Sequence, residues 1–339
     1  MMRLEIILIT GLLFAFTACQ ERSGSGAADL SNVNDSISLN NDSIVIVEDT
    51  PEEIIIEKDI LYDKYTLEDE YPYKDTTRVF QWNKIREKLE LLSSVQQRPI
   101  PWAVLQNRRN VNGEAPLVKD FKRNEFKRVS DQYGTERHQA APLYSLTDLE
   151  TPERYGMDGT LVRVLDTVND SSEHIKVSAI YFDGEWMVPV KYAKTIEPRV
   201  FDKVIFVDRE NQNITGLEKV GSKWFVRFMN KSTTGVHSPP YKHETPLGIF
   251  VVQEKKPKMY YLVDGTSNIA GYAPHASRFC QGGYIHGIPV NKPRTAEIET
   301  SSSLGTTPRS HMCVRVATSN AKYVYDWAPI DEALVIVIE

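Results

Sequence analysis

Cysteine is scarce: the 339 residues hold three, Cys19, Cys280 and Cys313. So few thiols exclude a disulfide-stapled scaffold. No C-x-x-C or H-E-x-x-H spacing is present either, so neither a metal nor any other cofactor is expected. Excess basic charge is also missing. Lys and Arg number 40 against 46 Asp and Glu, for a net charge of −6, which offers no cationic field for nucleic acid. The apolar run 6–18 is too short to span a bilayer, and no long-period repeat occurs. What remains, 41% hydrophobic and 25% charged residues, is ordinary globular composition, enough for two domains and an appendage.

The run 6–18 does match the apolar centre of a signal peptide, although Glu5 offsets Arg3 ahead of it. It ends in Phe16-Thr17-Ala18-Cys19, which resembles a bacterial lipobox, where the cysteine is diacylated and becomes the mature N-terminus. Stable anchoring needs more than one acyl chain, so lipidation of Cys19 implies an exported domain tied to a bacterial membrane, in the periplasm or the cell-wall zone. A plain secretory signal is the alternative. Residues 1–19 thus read as a lipoprotein signal peptide. Residues 20–57, rich in Ser, Asn, Asp, Gly and Glu, read as a flexible tether of roughly 35 Å root-mean-square span. Within it, Ile44–Val47 and Ile54–Ile56 have the composition to add a strand to a sheet.

Beyond the tether the reading is mainly β. The region 58–129 carries a helix expected over 78–97, because Trp82, Ile85, Leu89 and Leu92 recur at helical spacing before Pro99 and Pro101 stop it. Residues 130–198 read as a small β domain. Its strands 160–166 and 175–182 lead into an Asp183-Gly184 hairpin turn and EWMVPVKYA, with APLYSL (141–146) upstream. That pattern resembles a bacterial SH3-like barrel. From 199 to 339 the strand-like runs VIFVD, KWFVRFMN, IFVVQE, MYYLVD and ALVIVIE alternate with Gly, Pro and Asn loops. One clear helix is expected near 320–327, capped by Ser319 or Asn320.

The chemistry concentrates in SHMCVR (310–315). Read as a strand, its period-two alternation puts His311, Cys313 and Arg315 on one face and Met312, Val314 and Val316 on the other. A cysteine attacks as thiolate, which neighbouring imidazole or cationic groups favour. The planar fork of Arg315 suits a substrate carboxylate. All seven histidines precede Cys313, the reverse of the order in papain-like and NlpC-type peptidases, so the base for Cys313 comes from upstream. A sortase shares the order His, Cys, Arg, but T-L-x-T-C is missing and Arg315 follows the cysteine too closely.

Taken together, GGYIHG (282–287) and SHMCVR resemble the signature of L,D-transpeptidases with a YkuD-type catalytic domain. The resemblance takes in MNKSTTG (229–235), ETPLGIF (244–250), FDKVIFVD (201–208) and the closing NAKYVYDWAPIDEALVIVIE, in order. It implies a β-sandwich or barrel with one or two short helices, preceded by the SH3-like module and the helical segment. It further implies Cys313 as nucleophile toward the carbonyl after the third residue of a peptidoglycan stem peptide, and His286 as its base, oriented by a group such as the Gly287 carbonyl. Amides around Met312 and Cys313 would form an oxyanion hole shaped by His311 and supported by Ser310 and Gly287. Arg315 would meet substrate carboxylate. D-Ala would leave, and an amine of another stem would resolve the acyl-enzyme into a 3-3 cross-link. Water as acceptor would make a carboxypeptidase, and a protein amine a protein-to-wall ligase. From another class, a non-catalytic wall-binding lipoprotein is the alternative.

Two departures stand out. Met312 occupies the family's glycine position between histidine and cysteine, a problem if the backbone there needs positive φ. The 23 residues between His286 and Ser310 also make a long gap, whose polar sequence suggests a lid.

Overall fold

The computed structural model describes residues 53–166 and 172–339. The signal peptide, Cys19, Ile44–Val47 and most of the tether lie outside the described residues. The described chain is mainly β, with α-helices at Trp82–Val95 and Thr318–Trp327.

A six-stranded sheet organises it, in the order Ile55–Lys58, Lys223–Lys231, Asn213–Val220, Lys203–Asp208, Ala333–Ile338, Gly248–Val251. The run ALVIVI is buried at every position, as expected of a strand covered on both faces. Alternation then splits the core in two. Val204, Phe206, Leu334 and Ile336 face a cluster with Ile85, Leu89, Leu92 and Trp102. Ile205, Val207, Val335 and Val337 face a second cluster with Phe279, Ile285, Met312, Val314 and Val324. That second face is covered by the helix Thr318–Trp327 and by a smaller sheet of Glu254–Leu262, Ile269–Cys280, Gly283–His286 and Val314–Arg315. His286 and Arg315 therefore stand on a sheet with a packed core behind it, and Cys313 directly precedes its strand Val314–Arg315.

Several sequence expectations shift in detail. Ile55–Lys58, overlapping the end of the tether stretch, pairs in parallel with Lys223–Val226, so the Ile54–Ile56 run does contribute a strand. The first helix starts at Trp82 because Thr76–Val79 is spent in a hairpin with Glu70–Tyr73. Its apolar face is as read, with Ile85, Leu89 and Leu92 buried. The second helix begins at Thr318, and no side chain caps it; Ser319 instead hydrogen-bonds Glu299 and Tyr62.

Strands Leu161–Val164, His174–Ala179 and Glu185–Pro189 form an antiparallel meander around Gly184 (φ 111°). Their five-stranded sheet is completed by Ala193–Arg199 and by Ile100–Leu105. The last strand comes from upstream of residue 130, so this sheet reaches beyond the segment 130–198.

Candidate active site

The stretch 310–315 is a held turn more than a strand. Val314 and Arg315 pair in register with Ile285 and His286 of the parallel neighbour, and Ser310 makes only an isolated bridge to Gly235. Met312 breaks the extended run with φ 109°, a region L-residues occupy only at a cost. The two-sided division survives even so. His311, Cys313 and Arg315 line one cavity together with His286 and Ser310, while Met312, Val314 and Val316 pack into the core behind.

Threonine and serine hydroxyls and backbone from the 232–245 region fix this turn. The Ser310 N–H donates to the Thr234 carbonyl, and Thr233 exchanges two 2.9 Å backbone bonds with Arg315. The Ser310 hydroxyl donates to the Cys313 carbonyl, and the Thr245 hydroxyl donates to the Met312 carbonyl at 2.7 Å. Thr245 and Ser310 thereby hold the successive carbonyls of Met312 and Cys313. Gly287 is a glycine for want of room: a Cβ there would lie 2.7 Å from the Thr318 hydroxyl and 2.9 Å from Pro274.

The electrostatics are those of a dry site. His286 is 3% exposed, and its Nδ1 lies 2.6 Å from the Gly287 carbonyl. A carbonyl only accepts, so Nδ1 carries the proton and Nε2 keeps a lone pair. Burial, aided by the Arg315 cation, pulls the imidazole down to about 4. Burial pushes the Cys313 thiol up to about 11, against the opposing pull of the Tyr284 N–H and Arg315. At rest the pair is a neutral thiol and a neutral imidazole, with the thiol 3.4 Å from the Gly282 carbonyl. Burial likewise lowers the Arg315 guanidinium, and its Nε is buried without a hydrogen-bond partner.

The cavity measures about 770 Å³. One wall is the long segment after Gly287, contributing Ile288, Pro289, Arg294, Ile298 and Thr300–Leu304. The segment whose polar sequence suggested a lid is anchored at three carbonyls. The Thr318 hydroxyl holds the Ile298 carbonyl at 2.6 Å, the Tyr272 hydroxyl holds the Thr295 carbonyl at 2.7 Å, and the Thr233 hydroxyl holds the Ser303 carbonyl at 3.1 Å. It is a fixed wall.

His311, expected at the oxyanion donors, sends its ring to the rim, where Nε2 meets the two Asp264 carboxylate oxygens at 2.9 and 3.0 Å. His275 and Cys280 do not line the cavity. Cys280 is a free thiol in the core, and His275 stacks edge-on with Tyr325. Among the described residues no group of His, Cys, Asp and Glu is arranged to hold a metal ion.

Sequence reasoning missed two supports. Asp264 lies in a turn with no chemical signature. Tyr284 packs on Cys313 and donates its hydroxyl to Glu254 at 2.8 Å. Glu254 also takes Arg108, and Arg278 beside it is locked onto buried Asp158 at 2.6 Å. Asp158 further accepts the N–H groups of Asn107 and Arg108. A buried charge network thus ties the floor of the site to the loop after Ile100–Leu105.

Residues 202–337 match the YkuD family, described as the L,D-transpeptidase catalytic domain. Among solved structures the chain is similar to an L,D-transpeptidase from Mycobacterium smegmatis, at 16% identity over 54% of this chain and 93% of that one, with a TM-score of 0.34. It is similar to L,D-transpeptidase 3 from Mycobacterium tuberculosis at 14% identity over 54% and 93%, TM-score 0.32. A Clostridium acetobutylicum protein described as a fused Zn-dependent amidase, peptidase and peptidoglycan-binding protein gives 20% identity over 42% of this chain and TM-score 0.30. The match spans about half of that protein's chain, 53%. No curated protein matches the sequence.

Proposed function

We propose that the domain at 202–337 is a cysteine-dependent peptidoglycan L,D-transpeptidase. The observation that carries this reading is the placement of Cys313 and His286 on one cavity, with the His286 tautomer set by Gly287 so that Nε2 can accept a proton. The catalytic-domain match supports the substrate class.

The steps follow from the resting charges. Cys313 is too dry to wait as a thiolate, so its proton passes to His286 Nε2 as the sulfur attacks the carbonyl after the third stem residue. Amide N–H groups of the 312–313 turn take the developing oxyanion. Collapse breaks the C–N bond, the His286 proton goes to the leaving D-Ala amine, and a thioester remains. A side-chain amine of a second stem attacks it, loses a proton to His286, and leaves an amide cross-link and the free thiol. Arg315, a partly buried cation on the cavity wall, suits a carboxylate of the donor stem. In this reading Cys19 is the lipidated anchor, supported by the lipobox-like FTAC, and the five-stranded region, SH3-like in strand pattern, holds the wall polymer.

A carbapenem, whose strained lactam is an acyl donor, tests the reading. Intact mass should rise by one adduct on wild type and stay constant on Cys313→Ala with its fold retained. An unmodified wild type would sink the proposal. Purified disaccharide-tetrapeptide then separates the acceptors: dimers mean an amine, tripeptide alone means water.

A further inference from the structure

The turn that carries Cys313 depends on a residue that does not line the cavity. Thr245 is fully buried, and its hydroxyl is used in both directions. It accepts the Gly235 N–H at 2.8 Å and donates to the Met312 carbonyl at 2.7 Å. Gly235 itself lies against Met312 so closely that a Cβ there would sit 2.7 Å from Met312 Cα and 2.8 Å from its nitrogen. Gly235, Thr245 and Met312 are therefore one interlocked unit.

The consequence is directional. A peptide bond is planar and trans, so its C=O and N–H point in opposite directions. Thr245 holds the Met312 carbonyl on its own side, so the N–H of the same peptide unit, that of Cys313, points away from Thr245. No acceptor among the described residues takes that N–H. Met312, at φ 109°, lacks the conformational freedom of glycine, and an unrestrained turn would relax toward commoner angles. Relaxation would rotate the 312–313 peptide and with it the N–H.

We propose that Thr245 is a positioning residue for acyl transfer, whose hydroxyl holds the strained Met312 peptide so that the Cys313 N–H stays aimed at the oxyanion. This role rests on the transpeptidase reading above.

Two reactions of the same sulfur separate this role from a merely structural one. Acylation by a carbapenem builds an oxyanion; alkylation by iodoacetamide does not. In Thr245→Val the acylation rate constant falls about 10- to 100-fold, less than the roughly 10²- to 10³-fold cost of deleting an oxyanion donor outright. Alkylation at the same pH is unchanged, and Thr245→Ser restores acylation. Near-UV circular dichroism selects folded preparations. Should the valine variant not fold, Thr245→Cys, with its weak S–H donor, supplies the graded loss. Acylation at the wild-type rate in Thr245→Val, a parallel fall of alkylation, or no rescue by serine overturns the role of Thr245 alone. A wild type that takes no carbapenem overturns the transpeptidase reading, and this role with it.

Discussion

His286 and Arg315 are register partners across the parallel strands Gly283–His286 and Val314–Arg315, and the arginine's charge helps to keep the histidine neutral. Burial does most of that work and the cation adds to it. The site therefore holds a weakly basic, buried imidazole beside a permanent positive charge that is only partly buried.

The first expectation concerns pH and rate. With His286 lowered to about 4, its neutral, proton-accepting form persists well below the ordinary histidine range. The free-enzyme acylation rate should stay level from about pH 5 to neutrality and fall only as pH approaches 4. Arg315→Gln should move that acid limb upward, because one of the two causes is removed. A wild-type inflection near 6.5 would show that His286 titrates normally.

Stability gives the second. Folded His286 resists its proton down to about 4, whereas the unfolded chain takes one near 6.5. Above 6.5 both states are neutral and pH makes no difference. Between 6.5 and 4 only the unfolded state gains the proton, so folding stability declines as pH falls, by roughly 3 kcal/mol across the window. Urea titrations of wild type and His286→Gln at pH 7 and pH 4.5 measure this. The variant should lose distinctly less on acidification, and equal losses would refute the assignment.

How much of this was legible in the sequence depends on the range of the cause. Ala333–Ile338 declared itself by an unbroken apolar run, and the Gly184 turn by local dipeptide chemistry, because both are decided within a few residues. The faces of 310–316 were legible too: Cys313 and Arg315 do face the cavity and Val314 the core. The backbone at Met312 was not. Alternation there says strand, whereas hydrogen bonds from Thr245, 67 residues away, and the close approach of Gly235 make it a turn. The ion pair of His311 was hidden for the same reason, since its partner Asp264 is 47 residues distant. Ile100–Leu105 joins strands from beyond residue 160, and such pairings leave no local mark.

Arg315 supplies a third expectation, in which stability and activity move in opposite directions. Its guanidinium is partly buried at the cavity wall, has no ion-pair partner among the described residues, and keeps its Nε buried without a hydrogen-bond partner. An unpaired, partly buried cation destabilises a fold. Arg315→Gln should therefore raise the unfolding free energy measured in urea, by about 1 kcal/mol. It should also lower kcat/KM for a carboxylate-bearing donor by about 10- to 100-fold, mostly through KM, with Arg315→Lys recovering only part. A variant both less stable and fully active would mean that Arg315 serves packing alone.

Met312 separates strain from packing. Its side chain is 8% exposed and packs among Val314, Val316 and Phe279 in the core, while its backbone sits at φ 109°. Met312→Ala keeps the backbone cost and gives up the packing, a loss of about 2–5 kcal/mol. Met312→Gly gives up slightly more packing but recovers the roughly 1–3 kcal/mol stored in the backbone, less the glycine's greater unfolded-state entropy of about 0.5–1 kcal/mol. The glycine variant should thus be the more stable of the two by about 1 kcal/mol, reversing the usual order of alanine over glycine. Both should unfold below wild type in urea, since neither replaces the thioether in the core. Alanine ranking above glycine would mean that the turn relaxes without cost in solution, and that Met312 is there for its side chain alone.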